Sequence, residues 1–335
     1  MATALPSPGA MKHVYFLVLP DTHMLDLAGP LQIINTVPEL RLADLQVHCI
    51  GPSSSVDSFQ PITLAHLQPL PPTLPAGAVL FVIGSKLSPA LTRSDAWQRA
   101  AQWLKTMAAG RAEPLTMCSV CTGVFLLAAA GLLDGRLCTT HHAHIARLRA
   151  ACPSATVLEN RVFVQDGDLF TSAGVSSGID LALHLVSQAF GEDVALQVAR
   201  DNVVHFRRFG ADPELSAATR YRAHGNTRVH AVQDLIARQL RQPLTLALLA
   251  EQAGLSPRHL TRVFQAETGI SIKQFQIALR LDRARRLMTG SRWSLETIAD
   301  ECGFGSVQAL RANWNRHEDQ PPSALRPRRG WQRPV

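Results

Sequence analysis

The chain has 335 residues, 46% of them apolar and 18% charged, which is too apolar for a disordered polymer and too long for a single core of the usual ~100–150 residues. Its formal charge of +7 is uneven, because residues 1–205 carry a net −3 and residues 206–335 a net +10. Six dispersed cysteines are not a disulfide framework, and no apolar run approaches the ~18–20 residues of a membrane span. Residues 1–12, with Pro6, Pro8 and no basic or apolar n-terminal signal, read as a flexible tail without a secretory leader. A cytoplasmic protein with free thiols and no membrane partner is expected.

Residues 13–206 alternate short apolar runs with helical periodicity. Val14 to Leu19, Leu45 to Ile50, Val79 to Ile83 and Leu115 to Ser119 predict buried strands, and Leu25 to Val37, Leu91 to Ala109, Thr122 to Ala130 and Gly178 to Phe190 predict helices. The order implies an α/β sandwich around a largely parallel sheet. Arg161 to Gln165 and Asp168 to Ser172, joined by Asp166-Gly167, read as an appended hairpin.

Cys121 follows an apolar strand run and precedes Thr122-Gly123 and a helix, a strand-to-helix elbow that exposes a nucleophile at a helix N-terminus. The positive end of the helix predicts a thiolate, with His141 or His142 as imidazole neighbour and Asp26 as carboxylate. A buried packing cysteine is the alternative, and the sequence leaves both open. Cys118 and Cys121 form a C-x-x-C without a second pair, which reads as packing. Cys138, His141, His142 and His144 crowd together without a neighbouring acid, so no metal is expected.

The segments MLDLAGPLQ, SVCTGVFLLAAAGLLDGR, TTHHAHIARL and TSAGVSSGIDLALHLV resemble the ThiJ/PfpI superfamily, whose fold is that of class I glutamine amidotransferases, and especially its GlxA branch of regulators. The resemblance implies a small-effector pocket containing Asp26, Cys121, Thr122, His141 and His142, with no cofactor. It differs in His142, where that branch usually has Trp, and in lacking the usual Gly-Gly-Gln at Phe209 to Asp212.

Residues 207–226, with Gly, Pro and mixed charge, read as a linker. Residues 227–327 then carry an internal repeat. LTLALLAEQAGLSPRHLTRVF from Leu244 and WSLETIADECGFGSVQALRANW from Trp293 share an N-cap hydroxyl (Thr245, Ser294), a small residue (Ala250, Ala299), a turn glycine (Gly254, Gly303) and a second N-cap (Ser256, Ser306). Each copy is the pattern of a helix-turn-helix, and Ser271 to Met288 reads as a connecting helix that fixes their separation. Arg258, His259, Thr261 and Arg262 in the first copy, and Val307, Gln308 and Arg311 in the second, fall on the outer faces of the recognition helices. Of the 21 basic residues after His205 only Lys273 is a lysine, and arginine suits bidentate contact with phosphate and guanine.

These segments, with ALRLDRARRLM and PPSALR, resemble the AraC/XylS regulators. The resemblance implies an all-α domain that reads double-stranded DNA through Arg258, Thr261 and Arg262 and through Gln308 and Arg311. Departures are Ile272, Leu310, Ala312, Trp314, Asp319 and Leu325, where Pro, Phe, Arg, Phe, Gly and Tyr are usual. The expected protein is a homodimeric, sequence-specific transcription activator that contacts RNA polymerase, with residues 328–335 as a tail. The alternative is a cysteine-dependent hydratase, amidase or glyoxalase-like enzyme with an accessory DNA-binding domain.

Overall fold

The first apolar run forms β1 (His13–Leu17), which leads into α1 (Met24–Glu39). The computed structural model describes residues 11–109, 115–205, 207–291, 293–317 and 321–322. The chain divides into two units, Met1–Glu214 and Leu215–Val335. The expected tail 328–335, Asp319 and Leu325 lie outside the described residues.

In the first unit, β2 (Gln46–Gly51), β3 (Gln68–Pro69), β4 (Val79–Val82), α2 (Asp95–Ala108), β5 (Thr116–Val120), α3 (Val124–Ala129), β6 (Phe163–Asp166), β7 (Leu169–Ser172), α4 (Ser177–Phe190) and α5 (Glu192–Asp201) follow in order. One seven-stranded sheet runs β6-β7-β5-β4-β1-β2-β3, with every neighbour parallel except β6 against β7. Side chains alternate across the pleat. Phe16 and Phe81 pack with Leu27 and Ile33 of α1 and Leu181 of α4, while Leu17, Leu80 and Val82 pack on the other face with Trp97 and Leu104 of α2 and Val124 of α3. Helices therefore cover both faces, as a parallel sheet requires.

Three expectations change here. The hairpin is no appendage: β7 pairs in parallel with β5, so it extends the main sheet. The expected helix from Leu91 breaks at Ser94, whose hydroxyl caps α2 by accepting from the Trp97 N–H. Met11, placed in the tail, is buried in the core.

In the second unit α6 (Thr227–Arg238), α7 (Leu246–Ala253), α8 (Pro257–Thr268), α9 (Ile272–Gly290), α10 (Leu295–Glu301) and α11 (Val307–His317) are connected by short turns. Thr245, Ser256, Ser271 and Ser294 each accept from the backbone N–H three residues on, and Ser271 completes a capping box with Gln274. Leu249, Leu260, Phe264 and Phe275 fill one small core, while Leu281, Ile298, Leu310 and Trp314 fill a second. The connecting helix α9 contributes to both.

The segment 207–226 is no free tether. Arg208 pairs with buried Asp180 through Nη2 and Nε at 2.6 and 2.9 Å, and Arg207 reaches Glu192 at 2.7 Å, so its first half packs on the first unit. Ala217 is buried in the second, where its N–H donates to Asp282 at 2.6 Å.

Candidate functional site

The parallel sheet delivers β5 to an abrupt end at Val120, and Cys121–Gly123 make one 3-10 turn into α3. Cys121 takes φ +56°, a left-handed conformation that costs a non-glycine residue roughly 1–2 kcal/mol. The turn is locked from several sides. The Thr140 hydroxyl donates to the Cys121 carbonyl at 2.9 Å, and Thr122 exchanges two hydrogen bonds with the Ser85 backbone at 2.7 and 2.9 Å. Gly174, at φ +88°, lies so close that a Cβ there would sit 2.1 Å from the Cys121 Cβ.

Asp26, in the first turn of α1, is 1% exposed. Its Oδ1 accepts from the Val175 N–H at 2.6 Å, while Oδ2 is buried beside the Cys121 side chain with no partner of ordinary hydrogen-bond geometry. Burial holds the Asp26 carboxyl above the usual carboxylate range, against the lowering effect of the Val175 N–H.

The thiolate expectation fails on the same geometry. Burial, then the negative charge of Asp26, push the Cys121 thiol above its ordinary value, and the Thr122 N–H opposes them without prevailing. The turn after Cys121 offers too few backbone donors to offset desolvation of a residue only 6% exposed. At neutral pH the site presents a thiol.

The Thr140 bond to Cys121 also carries the next residues over the elbow. His141 caps the following turn, its Nδ1 accepting from the Ala143 N–H at 3.3 Å. Burial, then the neighbouring His142, lower the His141 pKa, so its ring is neutral at pH 7. His142 is half exposed, and its N–H and Nδ1 lie 3.1 and 2.8 Å from Glu214 Oε1. Asp26, Cys121 and Thr122 therefore meet at the elbow, with His141 within electrostatic reach of Asp26, while His142 is engaged by Glu214 and the Thr122 hydroxyl is already consumed by Ser85. The elbow brings a carboxyl and a thiol together, so a proton can pass between Asp26 and Cys121.

Glu214 is the residue that sequence reasoning missed. It stands 72 positions from His142, and no local pattern announces it. The statement that the histidine cluster lacks an acidic neighbour is therefore wrong in space. Cys138, grouped with those histidines by sequence, is instead buried in the core, where burial raises its thiol to about 11.

In the second unit Arg258, Thr261 and Arg262 lie exposed on α8, and Gln308 and Arg311 lie exposed on α11. Among the described residues none of these three arginines has an ion-pair partner, which also holds for exposed Arg228, Arg238, Arg286 and Arg316, whereas Arg222, Arg241, Arg283 and Arg285 are paired. Thr261 donates to the Pro257 carbonyl at 3.0 Å. Of the arginines of α9, Arg285 is buried and stacks over Trp314, Arg280 donates to the Leu240 carbonyl, and Arg286 is exposed.

Family models match residues 12–188 to the DJ-1/PfpI family and residues 249–328 to the helix-turn-helix domain. The chain is similar to the HTH-type transcriptional regulator CdhR of Pseudomonas aeruginosa, 29% identical over 92% of this chain and 90% of that one. It is 32% identical to the HTH-type transcriptional regulator GlxA of Rhizobium meliloti over 63% of this chain and 65% of that one. The isonitrile hydratase of Pseudomonas putida is 34% identical over 54% of this chain and 73% of the enzyme.

Proposed function

The chain belongs to the DJ-1/PfpI family, and from that premise we propose that it is a DNA-binding transcription regulator whose N-terminal unit senses a small, nitrogenous metabolite. The observation that carries the reading is the set of unpaired, exposed arginines Arg258, Arg262 and Arg311 on the second helix of each helix-turn-helix. The second helix of a helix-turn-helix is the one that enters the major groove, and arginine there suits phosphate and guanine. The likeness to CdhR over nearly the full length of both chains supports joining this domain to the Cys121 unit in one regulator. Homodimerisation, contact with RNA polymerase, activation of transcription and a cytoplasmic location belong to the same reading.

The likeness to isonitrile hydratase and the strained elbow favour a second reading, a thiol enzyme. The raised pKa of Cys121 weighs against it, since a nucleophilic cysteine works as thiolate. Selection of binding sites from a random duplex pool by the full chain, followed by salt titration, tests the regulator. A recovered motif, with affinity falling steeply as salt rises, is expected. Salt-insensitive binding, or no duplex binding, refutes it.

A further inference from the structure

Glu214 is a carboxyl side chain with no lysine or arginine partner among the described residues. Its side chain is 8% exposed, and its interactions with His142 go through Oε1. What the fold brings to it is a pair of adjacent imidazoles, His141 and His142, with ring centroids 4.1 Å apart. One donor atom from each of His141, His142 and Glu214 can be chosen so that all lie within 4.8 Å of one another. The Nδ1 of His141 accepts the Ala143 N–H, so Nε2 is its free donor. The Oε2 of Glu214 makes no hydrogen bond among the described residues.

We propose that His141, His142 and Glu214 bind one divalent transition-metal ion of the zinc class. Two imidazole nitrogens and a carboxylate oxygen form a borderline donor set, which prefers Zn²⁺ and its neighbours to Mg²⁺ or Ca²⁺. Zinc bonds of ~2.0–2.1 Å in a tetrahedral site place donors about 3.3 Å apart. His142 and Glu214, at 2.8 Å, open slightly to reach this, and the half-exposed rings can close the remaining gap by rotation. Three protein ligands leave a fourth position for water or an incoming small molecule.

The site has a place in regulation, and this part rests on the regulator reading. Glu214 is the last residue of the first unit, and its carbonyl accepts from Arg208 Nη1 at 3.4 Å. An ion shared with His141 and His142 therefore ties the end of the sensing unit to its own elbow.

The experiment titrates the full chain with Co²⁺ alone, reading visible d–d absorption, and counts bound Zn²⁺ after equilibrium dialysis. One ion per chain is expected, with a d–d spectrum free of thiolate charge transfer. Glu214→Gln and His142→Asn should each lose the stoichiometric ion while keeping the wild-type melting profile, and His144→Asn should retain it. Failure of the wild type to bind an ion, retention of the same ion by Glu214→Gln, or a thiolate charge-transfer band would overturn the proposal. Duplex binding is measured on the same samples without metal, so a failed regulator reading registers as lost DNA binding whatever the ion count.

Discussion

The two turn glycines of the duplicated motif make a matched pair with unequal surroundings. Gly254 has φ +62° and open space where a Cβ would stand. Gly303 has φ +75°, but its Cβ would lie 2.4 Å from the Leu240 carbonyl oxygen and 3.1 Å from Arg241 Cα. Gly254→Ala meets only the left-handed backbone term, about 1 kcal/mol. Gly303→Ala adds overpacking against backbone, about 1–3 kcal/mol, and threatens the 3.1 Å bond from Arg280 Nε to the same carbonyl, about 1 kcal/mol more. The difference between the variants is therefore about 2–4 kcal/mol, and roughly 4 °C of melting temperature accompanies each kcal/mol in a domain of this size. Scanning calorimetry of the full chain, with the second unit's transition identified as the one that the two glycine variants shift, reads it directly. Equal shifts for the two variants would refute the packing argument, since backbone strain alone would then govern both turns.

Arg262→Ala should relax base preference at one position of the selected site and cost about 1–3 kcal/mol, measured by competition between cognate and substituted duplexes; a uniform loss over all sequences would make it a phosphate contact. DNase footprints should show two protected major-groove segments ~10 base pairs apart, and a single short block would mean that α11 does not read DNA. Asp26→Asn removes the charge that helps raise the Cys121 thiol, so Cys121 should be alkylated faster in that variant than in wild type at the same pH; an unchanged rate would remove Asp26 from the explanation. Asp26 itself is raised by burial, so the folded state holds its proton more tightly than the unfolded chain does. Stability of the first unit should therefore fall as pH rises out of the ordinary carboxylate range, and Asp26→Asn should flatten that slope in urea titrations.

What could be read in the sequence was whatever is local. The helix-turn-helix pair was legible because each N-cap, small residue and turn glycine constrains neighbours a few residues away. The α/β alternation was legible because buried parallel strands are short, continuous apolar runs. The elbow at Cys121 was legible for the same reason, since strand, turn and helix are consecutive. The charge state of Cys121 was not, because it depends on burial and on Asp26, which arrives from another strand-helix connection. Glu214 was illegible for a stronger reason: a single acid in a stretch with linker composition carries no periodicity, and long-range contacts such as Arg208 with Asp180 and the Val162 N–H with the Asp212 carbonyl fold that stretch back on the first unit.

Arginine usage shows how the same composition serves two ends. The excess of basic residues after His205 suggests one broad cationic surface, yet Arg241 bonds Asp300 and Glu301 at 2.7 and 2.8 Å, and Arg283 reaches Glu301. These pairs are partly exposed, so each contributes at most about 1 kcal/mol. Their value is geometric. Arg241 follows α6 and grips α10, on the same segment where Gly303 abuts Leu240, which gives the two helix-turn-helix copies a second tie besides α9. A connecting helix alone would set the distance between recognition helices and leave rotation about its axis free. A tie on one side removes that rotation, and Arg258, Arg262 and Arg311, left out of every such pair, are then presented in a fixed mutual orientation.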